Sequence, residues 1–242
     1  MAKYKLVEAP GITDDAGRPL YRVQYLHRGP WGDAGALGGY LQHESNLAQT
    51  GPCFVLGEAR VSGISRVEGM ATVMDRAVVQ ESVVEDRACI RGSARVIGSH
   101  VAYDAFVTGN ACIERSVIRG RVDITDYAKV LHATVSDSVV ISGHADISAY
   151  TTLLLRGPLV IKGQAEVRRQ DHFVVIDPIG SRSAALSAYR TRSGAWEVVT
   201  GCFQGSLEEF VNRAQQHWMA SAMHQYLAAA EIIRERQEHL YD

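Results

Sequence analysis

Small and branched apolar residues alternate in a fixed pattern along the middle of the chain. A small residue, any residue and a branched residue form triplets such as Ala71-Thr72-Val73, and the same kind of triplet returns at Ala88 and Ala105, in steps of seventeen residues. Each triplet has the period of two that is typical of a short β-strand, with both apolar side chains on one face. The pattern therefore predicts short strands that repeat every seventeen residues.

Three rows of triplets share this period. The triplets begin at Ala71, Ala88, Ala105, Val122 and Val139 in the first row, at Ala77, Ala94, Ala111, Ala128 and Ala145 in the second, and at Ser82, Ser99, Ser116 and Ala133 in the third. Steps of six, six and five residues cannot keep a position on one face of an α-helix, which has about 3.6 residues per turn. They fit a three-sided coil, and stacked coils make a parallel β-helix of about seven turns.

Glycines and one irregularity refine this expectation. Gly92 and Gly109 each come two residues after a branched core position, where a sharp corner requires a positive φ. Between Tyr150 and Pro158 the register slips by three residues, so a bulged corner or short loop is expected there. The narrow interior of such a helix suits valine, isoleucine and alanine, which agrees with an aromatic content of only 7%.

The two ends of the chain do not follow the repeat. Residues 1–52 are expected to form an N-terminal cap on the β-helix of residues 53–169, because an open end would expose unpaired backbone and core.

Residues 171–242 are expected to form a small α+β domain. Its strands are predicted at 172–176, 186–191 and 195–200, the last two joined by a hairpin turn at 192–194. Two helices follow. Ser206 and Glu209 form a capping box that opens the first, which runs towards Trp218. The second carries an apolar stripe of Met223, Tyr226, Leu227, Ala230 and Ile233.

The residues that lead into the first coil carry a resemblance to a known group. These residues are Gly38-Gly39-Tyr40-Leu41, Glu44, Asn46-Leu47 and Gly51-Pro52-Cys53. The repeat also shows the hexapeptide pattern, in which a branched residue is followed by a small residue four positions later and a branched residue six positions later, as in Val67, Ala71 and Val73. Together these features resemble the YdcK-like hexapeptide-repeat proteins of bacteria and phages, over roughly the first 168 residues. The resemblance implies a left-handed β-helix and a general label of acyltransferase, although a fold by itself does not establish chemistry. The tail resembles a module of phage and bacterial β-helix proteins and departs from the YdcK-like pattern.

Composition excludes several classes of function. With 25 basic and 27 acidic residues, the formal charge of −2 gives no general attraction to nucleic acid or to acidic membranes. The first residues show neither the apolar stretch nor the cleavage site of a signal peptide, so we expect none, and the sequence has no run of about 18 apolar residues. Its four cysteines form no Cys-x-x-Cys pair, which favours reduced thiols over a disulfide framework or a metal site. We therefore expect a cytoplasmic protein with no metal and no resident cofactor.

Catalysis is the less favoured hypothesis. Hexapeptide acyltransferases use a histidine as general base towards acyl-CoA, and the resemblance makes His100 and His144 the candidates here. A histidine with a pKa near 6.5 can accept a proton at neutral pH. The rows keep their register from Ala71 to Ala145, however, so they extrude no long loop that could form an acceptor pocket. A CoA-dependent acyltransferase therefore remains the alternative.

Outward positions of the predicted prism suggest self-association. Val83, His100 and Val117 are the middle residues of third-row triplets, and Phe106 is outward on the first face. These four residues are the expected oligomer interface. A homotrimer is the preferred oligomeric state and a dimer is the alternative. Cys89 and Cys112 are also outward, but no neighbour in the sequence is positioned to activate either thiol.

Arginines concentrate where the β-helix meets the tail. Arg168, Arg169, Arg182, Arg190 and Arg192 are the expected surface for an acidic protein partner. Gly180-Ser181-Arg182-Ser183 is in addition a candidate turn for holding a phosphate, with a plain turn as the alternative. The first hypothesis is thus a non-catalytic oligomeric scaffold that binds an unknown protein. The resemblance extends it to a phage-encoded factor that acts on a host protein or defence complex.

Overall fold

A computed structural model of the chain describes residues 1–180, 182–217 and 220–238. The protein is mainly β, with a parallel β-solenoid of about eight turns, a small four-stranded sheet and two C-terminal helices. Three strands precede the repeats: β1 (Tyr4–Val7), β2 (Tyr21–Tyr25) and β3 (Leu37–Leu41). The repeats contain β4 (Phe54–Val55), β5 (Arg60–Ser62), β6 (Arg66–Val67), β7 (Thr72–Val73), β8 (Val78–Gln80), β9 (Val83–Val84), β10 (Cys89–Ile90), β11 (Arg95–Ile97), β12 (His100–Ala102), β13 (Phe106–Val107), β14 (Cys112–Glu114), β15 (Val117–Ile124), β16 (Lys129–Ile141), β17 (Asp146–Leu155), β18 (Leu159–Ile161) and β19 (Glu166–Val167). The tail contains β20 (Phe173–Ile179), β21 (Ala184–Arg190), β22 (Trp196–Thr200), β23 (Phe203–Ser206), α1 (Leu207–His217) and α2 (Ala220–Glu238).

The register of the parallel strands confirms the three predicted rows. Cys89 in β10 lies between Thr72 and Phe106 of the neighbouring coils, and each neighbour is seventeen residues away. The second and third rows pair with the same offset along β8, β11 and β14 and along β9, β12 and β15. The branched residues of the triplets, such as Ile90 and Ile113, are fully buried. Alternation of small and branched residues therefore fills the core.

The solenoid begins earlier than the repeats suggest. Tyr40 and Leu41 of β3 pair in parallel with Arg60 and Val61 of β5. Leu47 forms an isolated parallel bridge with Val67. Part of the lead-in is therefore already coiled, which is why the structure has about eight turns rather than the predicted seven.

The corners confirm the role of glycine and add a second solution. Gly92 and Gly109 have φ values of 70° and 72°. Asp75 and Asp126 occupy corresponding corners with φ values of 62° and 60°. Aspartate tolerates this conformation because its short side chain bonds nearby backbone. The carboxylate of Asp75 accepts a hydrogen bond from the Gly92 N–H at 2.9 Å, so the aspartate corner also ties one coil to the next.

The predicted slip in register is confirmed within β17. Leu131 pairs with Ser148, whereas Ala133 pairs with Leu153, so three extra residues enter the coil between these pairs. Tyr150 in this segment is fully exposed. The insertion is a bulged corner.

A ladder of buried serine hydroxyls crosses the third-row corners. The Oγ atoms of Ser65, Ser82 and Ser99 accept hydrogen bonds from the N–H groups of Ser82, Ser99 and Ser116, at 3.1, 3.0 and 3.1 Å. The Ser116 hydroxyl accepts from the Ala133 N–H at 3.1 Å, where the run of serines ends. These serines are small enough for the core and supply acceptors that alanine lacks, so the third row uses serine where the second uses alanine.

The C-terminal sheet is covered on both faces. Phe173, Tyr189 and Val199 point towards the solenoid and join its core. Leu186 and Ala188, which alternate with the solenoid-facing residues, pack instead with α1 and α2. The sheet therefore lies between the last coil and the helices, and it seals the end of the solenoid.

The predicted elements of this domain are largely confirmed. β20 is longer than expected, and β23 was not predicted. The capping box at α1 is present, with the Glu209 N–H donating to Ser206 Oγ at 3.1 Å and the Ser206 N–H donating to Glu209 Oε2 at 2.8 Å. In the apolar stripe of α2, Tyr226, Ala230 and Ile233 are buried. Trp218 lies outside the described residues.

Candidate functional site

His100 lies on the third face, in β12, where both ring nitrogens have partners. Its Nε2 is 2.6 Å from Glu85 Oε1, and its Nδ1 is 3.1 Å from an Arg119 guanidinium nitrogen. Arginine can only donate, so Nδ1 is the acceptor and Nε2 carries the proton that is donated to Glu85. Val83 and Val117 flank His100 on the neighbouring coils, as predicted. We call these five residues the third-face cluster.

The geometry of the third-face cluster does not leave a ready general base. A general base must offer a lone pair to the substrate proton. The only lone pair of neutral His100 is directed to Arg119, since Nε2 is occupied by its own proton. The pair with Glu85 is the arrangement that orients a catalytic imidazole in other enzymes, so movement of Arg119 would be the requirement for base catalysis here.

His144 lies at a corner after the first row and is not brought together with His100. Its ring stacks on Tyr127, with centroids 4.9 Å apart and planes inclined by 8°. Its backbone carbonyl accepts a hydrogen bond from the Arg192 guanidinium at 3.0 Å. His144 therefore contributes to the junction with the tail.

The predicted interface residues occupy two neighbouring faces. Val83, His100 and Val117 are half-buried in the single chain, and Phe106 lies on the first face beneath the Arg91 guanidinium, 5.4 Å from the ring centroid. Tyr103 projects from the corner that joins the two faces and is 56% exposed. The predicted interface is therefore one edge of the solenoid and its two adjoining strand rows.

Cys112 has the chemistry of an inert thiol. Burial and a hydrogen bond with Glu114, 3.4 Å away, raise the pKa of the Cys112 thiol above its ordinary value. A raised pKa lowers the thiolate fraction that nucleophilic catalysis requires.

The five predicted partner-binding arginines are in different environments. Arg168 forms ion pairs with Asp146 and Glu166, at 3.1 and 2.9 Å. Arg169 pairs with Asp171. The Arg192 guanidinium is bound to the carbonyl of His144. Arg190 is half-buried and Arg182 is exposed, and neither has an ion pair among the described residues. Ser181, in the candidate phosphate turn, lies outside the described residues.

Sequence reasoning did not identify the cavities of the tail. Arg182 lines a cavity of about 230 Å³ together with Arg213 of α1, Tyr226 of α2 and the β22–β23 turn around Cys202. An adjoining cavity of about 410 Å³ shares Cys202, Phe203 and Arg213. Arg213 reaches this place only because α1 packs beside the hairpin turn, so no spacing in the sequence relates it to Arg182.

No family model matches the sequence, and no curated protein shows significant similarity to it. Among residues 1–180, 182–217 and 220–238, no group of three or more histidine, cysteine, aspartate or glutamate side chains is arranged to hold a metal ion. Within the same ranges, neither helix is both long and apolar enough to cross a membrane.

Proposed function

We propose that the protein is a non-catalytic, oligomeric β-helix scaffold whose C-terminal domain binds a protein partner. The burial of the C-terminal sheet on both faces carries this proposal. A sheet packed against the last coil fixes the domain to the solenoid, while α1 and the β22–β23 turn stay on the outside. Rigid mounting of a surface at the end of an extended body suits presentation to another macromolecule.

The third-face cluster supports self-association. Val83 and Val117 are outward and only half-buried in the isolated chain, so a second copy could cover them. His100 hydrogen-bonds both Glu85 and Arg119, and polar groups that already have partners cost less to bring into an interface. We propose a homotrimer as the oligomeric state, with a dimer as the alternative.

The resemblance to YdcK-like proteins supports the finer part of the proposal. It favours a hexapeptide-repeat protein of the bacterial or phage cytoplasm, and it extends the scaffold to a phage-encoded factor acting on a host protein or defence complex. Neither a metal nor a resident cofactor is part of this proposal.

The alternative is a CoA-dependent acyltransferase, and the 2.6 Å contact between Glu85 and His100 is what favours it. A thermal shift with acetyl-CoA separates the two functions. Clear stabilisation that is lost in His100→Ala, but kept in His144→Ala, would replace the scaffold with the enzyme.

Sedimentation velocity tests the scaffold. Val117→Glu places a charge in the third-face cluster and is expected to dissociate the oligomer. Val78→Glu is the matched control, because Val78 is an outward residue of the second face that is also half-buried. A monomeric native protein, or an equal effect of both variants, would contradict the proposed interface.

A further inference from the structure

Two arginines in the C-terminal domain line one cavity, and neither has an acidic partner among the residues that the structure describes. Arg182 follows β20 and Arg213 lies on α1, and both line the cavity of about 230 Å³. Neither guanidinium forms an ion pair or hydrogen bond with a residue that the structure describes. Arg213 lies over the ring of Phe203, with its guanidinium carbon 5.8 Å from the centroid.

The rest of the described lining does not compensate this charge. Its remaining residues in the described part of the chain are Ala184, Thr200, Gly201, Cys202, Phe203 and Tyr226, none of which is acidic. By contrast, Arg168 and Arg169 at the junction are both paired with carboxylates. Two guanidinium groups that pair with no described residue therefore distinguish this cavity from the junction.

The adjoining cavity of about 410 Å³ provides a different chemistry. Its lining includes Asn212 and Gln216 of α1, whose amides can both donate to and accept from a peptide backbone. Among the described residues of this lining the acidic one is Glu209, whose carboxylate already accepts the Ser206 N–H at the capping box. A cationic pocket thus lies beside an amide-lined groove.

We infer that these cavities bind a phosphorylated side chain of the protein partner and the peptide on either side of it. Arg182 and Arg213 would hold the phosphate, and Asn212 and Gln216 would bond the peptide backbone. Two guanidinium groups match the charge of about −1.5 to −2 on a phosphorylated side chain, whereas a carboxylate carries about half of that. The smaller cavity is below the roughly 300 Å³ of sites for drug-sized ligands, so its volume suits a single modified side chain. This inference rests on the proposed partner-binding function and specifies the chemistry of the partner.

Binding of degenerate fluorescent peptides tests the inference. Three libraries carry a fixed phosphoserine, phosphothreonine or phosphotyrosine, and matched libraries carry the unmodified residue or glutamate. At least one phosphorylated library should bind roughly tenfold or more tightly than its unmodified and glutamate counterparts. Arg182→Ala and Arg213→Ala should each reduce that affinity by roughly tenfold, whereas Arg121→Ala, which alters an exposed arginine of a solenoid corner, should not.

Cys202 gives a second, local readout. It is exposed and lines both cavities, so a bound peptide should slow its alkylation by iodoacetamide without slowing that of Cys89 on the solenoid. Arg182→Ala carries the test if Arg213→Ala fails to fold, because Arg182 is an exposed residue outside the regular elements.

Several results would overturn the inference. It would be wrong if modified and unmodified peptides bound with equal affinity, or if both arginine variants kept the native affinity. It would also be wrong if the protein bound inorganic phosphate but no phosphopeptide. A protein partner that the Arg182→Ala/Arg213→Ala double variant retains as well as the native chain would remove this inference and leave the scaffold function intact. Phosphopeptide binding by a monomeric protein would support the site and count against the oligomeric scaffold.

Discussion

The serine ladder yields the sharpest prediction about stability. Ser99 is 6% exposed, its hydroxyl donates to the Ile97 carbonyl at 2.8 Å, and it accepts the Ser116 N–H at 3.1 Å. Ser99→Ala keeps the Cβ in the core but removes both bonds. The Ser116 N–H then has no acceptor in a place that water does not reach.

The expected cost follows from that orphaned group. A buried donor left without a partner costs about 1–3 kcal/mol, and a typical hydrogen bond contributes about 1 kcal/mol net. Ser99→Ala should therefore lower the free energy of unfolding by about 2 kcal/mol. Ser116→Ala should cost a similar amount, because it orphans the Ala133 N–H in the same way.

Urea unfolding followed by circular dichroism measures this change, at one fixed protein concentration because oligomer formation adds to apparent stability. Hydrogen exchange of the Ser116 amide should accelerate in Ser99→Ala, which locates the effect. Ser138→Ala is the control, since Ser138 is exposed at a corner, and it should change stability by less than about 0.5 kcal/mol. If Ser99→Ala were as mild as Ser138→Ala, the hydroxyls would not be the acceptors that hold these coils together.

Two further predictions concern the junction. The Lys162 amide donates to the Tyr189 hydroxyl at 3.1 Å. Tyr189→Phe should therefore lower the free energy of unfolding by about 1–3 kcal/mol and accelerate hydrogen exchange of the Lys162 amide. Tyr103→Phe, at an exposed corner, is the control and should change neither. Burial lowers the pKa of His172 below its ordinary value of 6.5, so the unfolded chain takes up the proton first and stability should fall as the pH drops through and below about 6.5. His172→Asn should reduce the loss of unfolding free energy between pH 7.5 and 5, whereas His224→Asn on the exposed side of α2 should leave it unchanged. Equal slopes of unfolding free energy against pH in the native chain and in His172→Asn would refute the assignment to His172.

The repeating part of the fold could be predicted because one residue pattern recurs in every coil. Each inward pair, such as Ala88 and Ile90, meets the same neighbours above and below, so local alternation determines the long-range contact. The shift in register at Tyr150 could be predicted for the same reason, because an insertion changes the spacing of seventeen residues between equivalent positions. The earliest coil was missed because β3 reads Leu-Gly-Gly-Tyr-Leu, without the small and branched alternation.

The candidate sites could be predicted only in part. Residues that lie seventeen apart are neighbours, so the valines beside His100 followed directly from the sequence. The pairing of His100 with Glu85 and Arg119 did not, because those side chains reach diagonally between coils. The cavity between Arg182 and Arg213 was beyond prediction, since it depends on how a helix packs against a hairpin turn.

A buried tyrosine closes each end of the solenoid, and this explains the positions of two of its few aromatic residues. At the first coil, the buried Tyr25 hydroxyl accepts the Val55 N–H at 3.0 Å and donates to the Val55 carbonyl at 3.2 Å. At the last coil, the buried Tyr189 hydroxyl accepts the Lys162 N–H. Each ring covers exposed core while its hydroxyl satisfies first-row backbone that has no further coil to pair with. Burial raises the pKa of both hydroxyls, so they stay protonated and keep this role across the physiological range. The tail is therefore a structural cap as well as the proposed binding domain, and a partner that binds to it acts on a surface that cannot detach from the solenoid without exposing the core.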